Sequence, residues 1–329
     1  MTHPLAAEPD VKAMTMANTV IAGAPKCGTS SLFTWLEDHP EVCGSRFKET
    51  RYFLDPGHAL LDRRSNYHDH GLAGYADHFR ECGGRSGPIV LEATPHYLYQ
   101  ETALGVLSSL DPPPTLLFLL RRPADRIYSE YQFARNNRAV IDRDMSFREF
   151  LRVVRRGEPS LRGRTQLDAV IDHSRYINYL EEWASRFPRP RLHILLFEDL
   201  QRDNRSFMKG AATVLGIDPR FYDTYGFPLK NLTYQVRYQA LHRFRSAVGR
   251  RLPRGQAKTL LHKATRKVYS AVNIERIRPA KTSDDYEVLA ELDREFAADN
   301  ARLAREFGVD LSSWEASRTA RPASGRQGG

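Results

Sequence analysis

The sequence predicts a three-layer α/β fold, a central parallel sheet flanked by helices, and three observations predict it. Short apolar runs at 19–21, 88–91, 115–120 and 191–197 alternate with stretches of helical periodicity, the pattern of strands joined by crossover helices. The first run opens the segment 18–31, NTVIAGAPKCGTSS, which reads as strand, tight loop and helix start. The 329 residues are 41% hydrophobic and 27% charged. That composition suits a folded chain, and no segment reaches the roughly 18 uninterrupted apolar residues of a membrane helix.

The first loop organises the rest. Thr19, Val20 and Ile21 are β-branched and favour a strand. Gly23, Pro25 and Gly28 make the turn. Thr29, Ser30 or Ser31 is expected to cap a helix carrying Leu32, Phe33, Trp35 and Leu36, which His39-Pro40 ends. Such a loop aims backbone N–H groups and the positive end of a helix at one spot, which suits an anion. Lys26 adds a full charge, and Cys27, Gly28, Thr29, Ser30 and Ser31 complete the expected cradle. The loop is P-loop-like without being a Walker A motif. Gly23 and Gly28 have the spacing of G-x-x-x-x-G-K-[ST], but Thr29 stands where the lysine belongs. The strand at 115–120 ends in Arg121-Arg122, where a nucleotide hydrolase would want an acid near its Mg²⁺. Arginines at that edge suit a second phosphate better than a metal.

The net charge of +9 points to anionic ligands but does not separate nucleotide, polysaccharide, nucleic acid and membrane. Residues 1–17 read as a mobile leader without a secretory pattern. Three cysteines, Cys27, Cys43 and Cys82, show no metal-ligand spacing, and an odd, low count suits a reducing cytoplasm. A cytoplasmic protein is expected.

Along the chain, the run 48–53, KETRYF, taken alone reads as a solvated loop with an aromatic anchor. The polar stretch 55–87 carries His58, His68, His70 and His78, which match no H-x-x-x-H spacing and have no cysteine pair beside them, so no metal is expected. A short helix is expected near 67–79. The strand at 88–91 leads into Glu92-Ala93-Thr94-Pro95-His96-Tyr97-Leu98, where Thr94 can bond substrate or cap the next helix. A helix at 100–110, a proline turn and the strand at 115–120 follow. Pro123 suits a first helical turn. Arg126 is expected in a surface ion pair with Asp125 or Glu130, and Arg122 similarly at the surface.

Further on, Phe147, Phe150, Leu151 and Val154 form a core-facing stripe. Tyr176, Leu180 and Trp183 mark a helix at 174–187. The strand at 191–197 ends in Glu198-Asp199-Leu200, read as a capped turn into a helix at 202–215. From Thr224 to Ile274 there is no Asp or Glu but eleven Lys or Arg. That basic segment, 230–267 above all, is either a helical surface neutralised elsewhere or a face for an acidic acceptor or a membrane surface. A long helix at 284–307 ends at Gly308. The tail, 315–329, is expected to be disordered.

Two of these runs carry a resemblance. The loop Pro25–Ser31 matches P-K-x-G-T-[ST]-[ST], and Arg121–Ser129 matches R-x-P-x-x-R-x-x-S. Together they resemble the sulfotransferases that use 3′-phosphoadenosine-5′-phosphosulfate (PAPS). The run 48–53 and the turn 92–98 are similar to segments of the heparan-sulfate type and its bacterial relatives. The resemblance covers 18–314 and implies one sulfotransferase domain there. It implies that the loop holds the 5′-phosphosulfate and that Arg121 and Ser129 hold the 3′-phosphate. It implies Glu49 as general base, with His96 as runner-up. Ala93 stands where many relatives have a lysine, a contact that Lys48 or Arg51 can supply. Lys230 and Arg237 match, without the usual glycine, a basic loop that closes over the nucleotide. The implied reaction moves a sulfuryl group to a hydroxyl or amine, with a base taking the proton and Lys26 and the loop N–H groups stabilising charge on the leaving phosphate.

The expected partners are therefore PAPS and a saccharide or glycolipid acceptor, with no nucleic acid, no metal, and peripheral membrane contact through 230–267 as one use of the basic segment. The alternatives from other classes are a P-loop nucleotide kinase or NTPase, and a non-catalytic basic protein that binds nucleotide or membrane.

Overall fold

A computed structural model describes residues 14–83, 87–138, 140–158, 167–228, 234–236, 274–276 and 280–319. Five parallel strands among them make one sheet: β1 (Thr19–Gly23), β2 (Val42–Gly44), β3 (Ile89–Ala93), β4 (Thr115–Leu120) and β5 (Leu192–Leu196), in the order β2-β3-β1-β4-β5. The register sets Ile21 beside Ala93 on one side and Leu117 on the other. Every residue of β1 is buried, and Leu116 to Leu120 are fully buried. Strands covered on both faces read as continuous apolar runs rather than alternating ones, which is why β1 and β4 are visible in the sequence.

The helices are α1 (Thr29–Glu37), α2 (Tyr67–Ala76), α3 (Glu101–Ser109), α4 (Pro123–Gln132), α5 (Phe147–Arg155), α6 (Tyr176–Arg186), α7 (Phe197–Arg202), α8 (Asn204–Leu215), α9 (Ser283–Phe307) and α10 (Ser312–Thr319). A short antiparallel pair, Tyr234–Val236 with Ile274–Arg276, completes the described elements. No described helix is long and apolar enough to cross a membrane.

The chain divides into two compact units. The first comprises the described residues of 14–122, 175–228 and 296–319 and holds the sheet. Its core is one cluster in which Trp35, Tyr97, Phe118, Tyr176 and Trp183 are fully or almost fully buried. Trp183 donates its indole N–H to Leu98 O at 3.1 Å, and Tyr222 its hydroxyl to Trp35 O at 2.9 Å, so these two aromatics are satisfied as well as packed. The second unit comprises the described residues of 123–174 and 231–295. Its core packs Tyr128 and Tyr131 of α4 against Phe147 of α5 at 5.1 and 5.3 Å between ring centroids.

Several expectations change. Gly28 caps α1, in left-handed conformation and with no side-chain cap bond, so none of Thr29, Ser30 and Ser31 is the cap. β2 was not foreseen, because three residues at a sheet edge carry no period. Arg126 is buried, donating to Val170 O at 3.1 Å and Ser174 Oγ at 2.7 Å, while Asp125 pairs with Lys281 at 2.8 Å. Arg122 is buried too. Glu198-Asp199-Leu200 lie inside α7, and Asp203, not they, caps α8 by accepting from Ser206 N–H at 3.0 Å. Thr94 caps nothing. Helix α10 carries order to Thr319, past the expected start of the tail, with Trp314 buried. At the other end Ala17 is buried and Met16 packs on the core. Residues 1–13 of the expected leader, most of the basic segment 230–267 and the tail beyond Thr319 lie outside the described residues.

Two of the three cysteines form a disulfide, Cys43 to Cys82, joining β2 to the 3-10 turn Asp77–Cys82, while Cys27 is buried outside it. The odd count therefore conceals a pair and no longer argues for a reducing compartment.

Candidate active site

In a parallel sheet of this kind ligands bind beyond the carboxyl ends of the strands, where the strand order reverses. Here the chain leaves β1 for β2 and β3 on one side, then crosses to β4 and β5 on the other. Candidate residues follow β1, β3 and β4.

After β1 comes the loop. Gly28 has φ +85°, and a Cβ there would meet the Phe197 ring at 2.6 Å. Both facts require glycine. No side chain caps the start of α1, and helix N-termini of that kind are candidates for binding an anion. Thr29 is buried, and Ser30 and Ser31 are half-buried. Cys27 is different: its side chain is fully buried, donates to Pro25 O at 3.5 Å and lies 3.7 Å from the Tyr176 hydroxyl. Only its backbone is left to serve a ligand. Tyr176 in turn donates to Arg121 O at 2.9 Å, linking the loop to the end of β4.

After β4, Arg121 donates to Lys26 O at 3.5 Å, and its guanidinium lies over the Phe197 ring at 4.8 Å from the centroid. Phe197 thus lies against both the glycine of the loop and the arginine beside it. The Arg122 N–H donates to Glu198 at 3.0 Å, which ties down the backbone next to Arg121.

After β3, the segment 45–51 is laid across the end of the strand. Ser45 N–H donates to Leu91 O at 2.8 Å, and Ala93 N–H to Lys48 O at 3.2 Å. Glu49 is held there between two cations, Lys48 at 3.2 Å and Arg51, whose Nε and terminal nitrogen reach one oxygen at 3.2 and 2.9 Å. Burial opposes the Glu49 charge, but Lys48, Arg51 and His96 outweigh it and bring the carboxyl down to about 2. Burial also draws the Lys48 ammonium below its ordinary value, against the pull of Glu49. His96 follows on the 3-10 turn Pro95–Tyr99, with its ring 5.7 Å from that of His58.

Beneath this turn lies Glu92, fully buried, whose role the sequence did not mark. It accepts from Thr50 Oγ1 at 2.5 Å, Thr94 Oγ1 at 2.8 Å and the Tyr75 hydroxyl at 2.7 Å. Burial raises its carboxyl, and those hydroxyls oppose the rise. The only advance signal is an acid at the end of an apolar strand. The structure thus brings Lys26, Cys27–Ser31 and Arg121 together, and gathers Glu49 with Lys48, Arg51 and His96. Ser129 lies on α4 of the second unit, half-buried. Lys230 and Arg237 are outside the described residues. The other histidines serve local structure: His68 meets Leu54 O at 3.1 Å, and His78 meets Ser65 Oγ at 3.3 Å.

Parallel strands in this order, with a glycine-shaped anion loop after the central one, define a P-loop-like α/β protein. The family model for the sulfotransferase domain matches residues 17–224, and the chain belongs to that family. It is similar to the human bifunctional heparan sulfate N-deacetylase/N-sulfotransferase 3, 25% identical over 90% of this chain and 30% of the relative. It is also similar to the human N-deacetylase/N-sulfotransferase 2, 26% identical over 63% of this chain and 24% of that one. The chain therefore spans less than a third of the length of these curated relatives. A sulfotransferase from Alicyclobacillus acidocaldarius shares the fold, with a TM-score of 0.62 and 22% identity over 92% of this chain and 99% of that one.

Proposed function

We infer that this sulfotransferase moves the sulfuryl group of PAPS to a hydroxyl or amine on a saccharide or glycolipid. The observation that carries the reading is the uncapped, glycine-shaped loop at Lys26–Ser31 joined through Phe197 and Tyr176 to Arg121. It offers donors and positive charge to a nucleotide with phosphates at two positions. The curated relatives, named for heparan sulfate N-sulfotransferase activity, support a sugar acceptor.

PAPS, when bound, supplies the activated sulfuryl group. Lys26 and the loop N–H groups stabilise the charge left on the 5′-phosphate, in a site organised beforehand. Arg121 takes the 3′-phosphate. Glu49 holds the acceptor's proton. Lys48 and Arg51 supply the positive charge that Ala93 lacks. A carboxylate drawn to about 2 is a weak base. The clamp of Lys48 and Arg51 on Glu49 favours a second reading, in which Glu49 aligns the two cations and His96 takes the proton. No metal, nucleic acid or kinase chemistry enters this reading. A cytoplasmic location and membrane contact through 230–267 remain expectations of the sequence alone.

The test is a thermal-shift titration with 3′,5′-ADP, the desulfated product, against ATP with Mg²⁺, since a ligand of the native state raises Tm by mass action. Stabilisation by 3′,5′-ADP, lost in Arg121→Ala and Lys26→Ala, is expected. Stabilisation by ATP with Mg²⁺ alone overturns the reading. Comparing Glu49→Gln with His96→Asn in turnover then assigns the base.

A further inference from the structure

We propose that Glu92 is a positioning residue for the reaction: its buried carboxylate sets the direction of the hydroxyls that hold the turn bearing Glu49 and Arg51. The proposal rests on the sulfotransferase reading of that turn.

A carboxylate with no proton of its own only accepts. Thr50, Thr94 and Tyr75 each donate to it, so their protons point at Glu92. Their lone pairs are then free for backbone N–H groups. The Thr94 hydroxyl accepts from Arg51 N–H at 3.1 Å, and the Thr50 hydroxyl from Tyr52 N–H at 3.3 Å. Tyr97, whose hydroxyl lies 3.1 Å from that of Thr50, accepts from Tyr52 N–H at 3.1 Å and Phe53 N–H at 3.3 Å. Three successive amides are thus held by hydroxyls around one buried acid.

The turn needs holding. Arg51 has φ 59°, a left-handed conformation that a residue with a Cβ adopts at a cost. From that conformation its guanidinium reaches Glu49. An amide in place of the Glu92 carboxylate presents N–H to one of these hydroxyls, reverses it, and takes its lone pair from the backbone. The Arg51–Glu49 pair then loses its seat, while the loop at Lys26–Ser31 and Arg121 are untouched. Tyr75 is the internal comparison. It makes the same kind of bond to Glu92 from α2 but accepts nothing from the turn.

The experiment compares Glu92→Gln, Thr94→Val and Tyr75→Phe for kcat, for the Kd of 3′,5′-ADP, and for amide exchange at Arg51, Tyr52 and Phe53. Glu92→Gln and Thr94→Val are expected to lower kcat by about tenfold or more, the scale of misplaced reacting groups. Their Kd for 3′,5′-ADP stays within about twofold, and exchange at the three amides speeds up. Tyr75→Phe lowers Tm yet leaves kcat within about twofold. Equal losses of kcat in Thr94→Val and Tyr75→Phe, or a nucleotide Kd that weakens in step with kcat, would overturn the proposal in favour of a purely structural acid. If Glu92→Gln does not fold, the Thr94 and Tyr75 pair decides. If the wild-type chain turns over no PAPS, the functional reading fails by itself. Amide exchange then decides the proposal: faster exchange in Glu92→Gln or Thr94→Val but not in Tyr75→Phe supports it, and unchanged exchange overturns it.

Discussion

Replacing Gly28 with alanine perturbs the anion loop at a point where the structure supplies a magnitude. The residue has φ +85°, and the new methyl would stand 2.6 and 2.7 Å from two carbons of the Phe197 ring. Left-handed backbone costs a residue with a Cβ roughly 1–2 kcal/mol, and overpacking a closed core costs about 1–3 kcal/mol more. A loss of roughly 2–5 kcal/mol lowers Tm by about 5–15 °C at this size. The function should suffer beyond the stability, because Phe197 carries the Arg121 guanidinium at 4.8 Å. A ring pushed off Gly28 takes Arg121 with it. Calorimetry and 3′,5′-ADP binding on Gly28→Ala, measured well below its Tm, check both. An unchanged Tm, or a lowered Tm with wild-type nucleotide affinity, would refute the coupling of loop to arginine through Phe197.

Other outcomes follow from the same contacts. Removing the disulfide by Cys43→Ser with Cys82→Ser opens a loop of sequence separation 39 and should cost ~4 kcal/mol in urea unfolding by the chain-entropy relation; three free thiols in the native, oxidised protein would contradict it. Glu49, drawn from 4.5 to about 2 in the folded state, adds stability that is fully present above pH 4.5 and is lost as pH falls towards 2. At full burial that is worth up to about 3 kcal/mol, reduced by solvent screening of a side chain 27% exposed. Arg51→Ala removes one of the cations, so it should raise the Glu49 carboxyl and flatten that acid loss, as unfolding scans between pH 2 and 6 would register. In the second unit, Arg126→Ala strips a buried guanidinium from Val170 O and Ser174 Oγ and should cost about 1–3 kcal/mol; a surface arginine would show almost no change in Tm.

Much of the sheet is readable because its central strands are buried on both faces. Thr115–Leu120 matches β4 residue for residue, and the stripe of Phe147, Phe150, Leu151 and Val154 falls on α5. Tyr176, Leu180 and Trp183 are all buried, as their spacing on one helix face implies. The expectation for Arg126 failed because an arginine near two acids looks solvated in any one-dimensional window. Its partners are carbonyl and hydroxyl groups 44 and 48 residues away. The three-residue β2 and its disulfide escaped for a similar reason, since pairing across 39 residues leaves no local trace.

By itself the sequence determined the strand–loop–helix with Lys26 and Gly28, the run from Arg121 to Ser129, and the turn bearing Glu49. Each is a local pattern in which residue type and spacing already dictate backbone form and charge. Only the tertiary structure decided that Glu49 lies clamped between Lys48 and Arg51, that Phe197 joins Gly28 to Arg121, and that Glu92 sits beneath them with three hydroxyls aimed at it. The physical reason is that proton affinity and orientation depend on burial and on partners brought from distant strands, and neither is a property of neighbours in the chain.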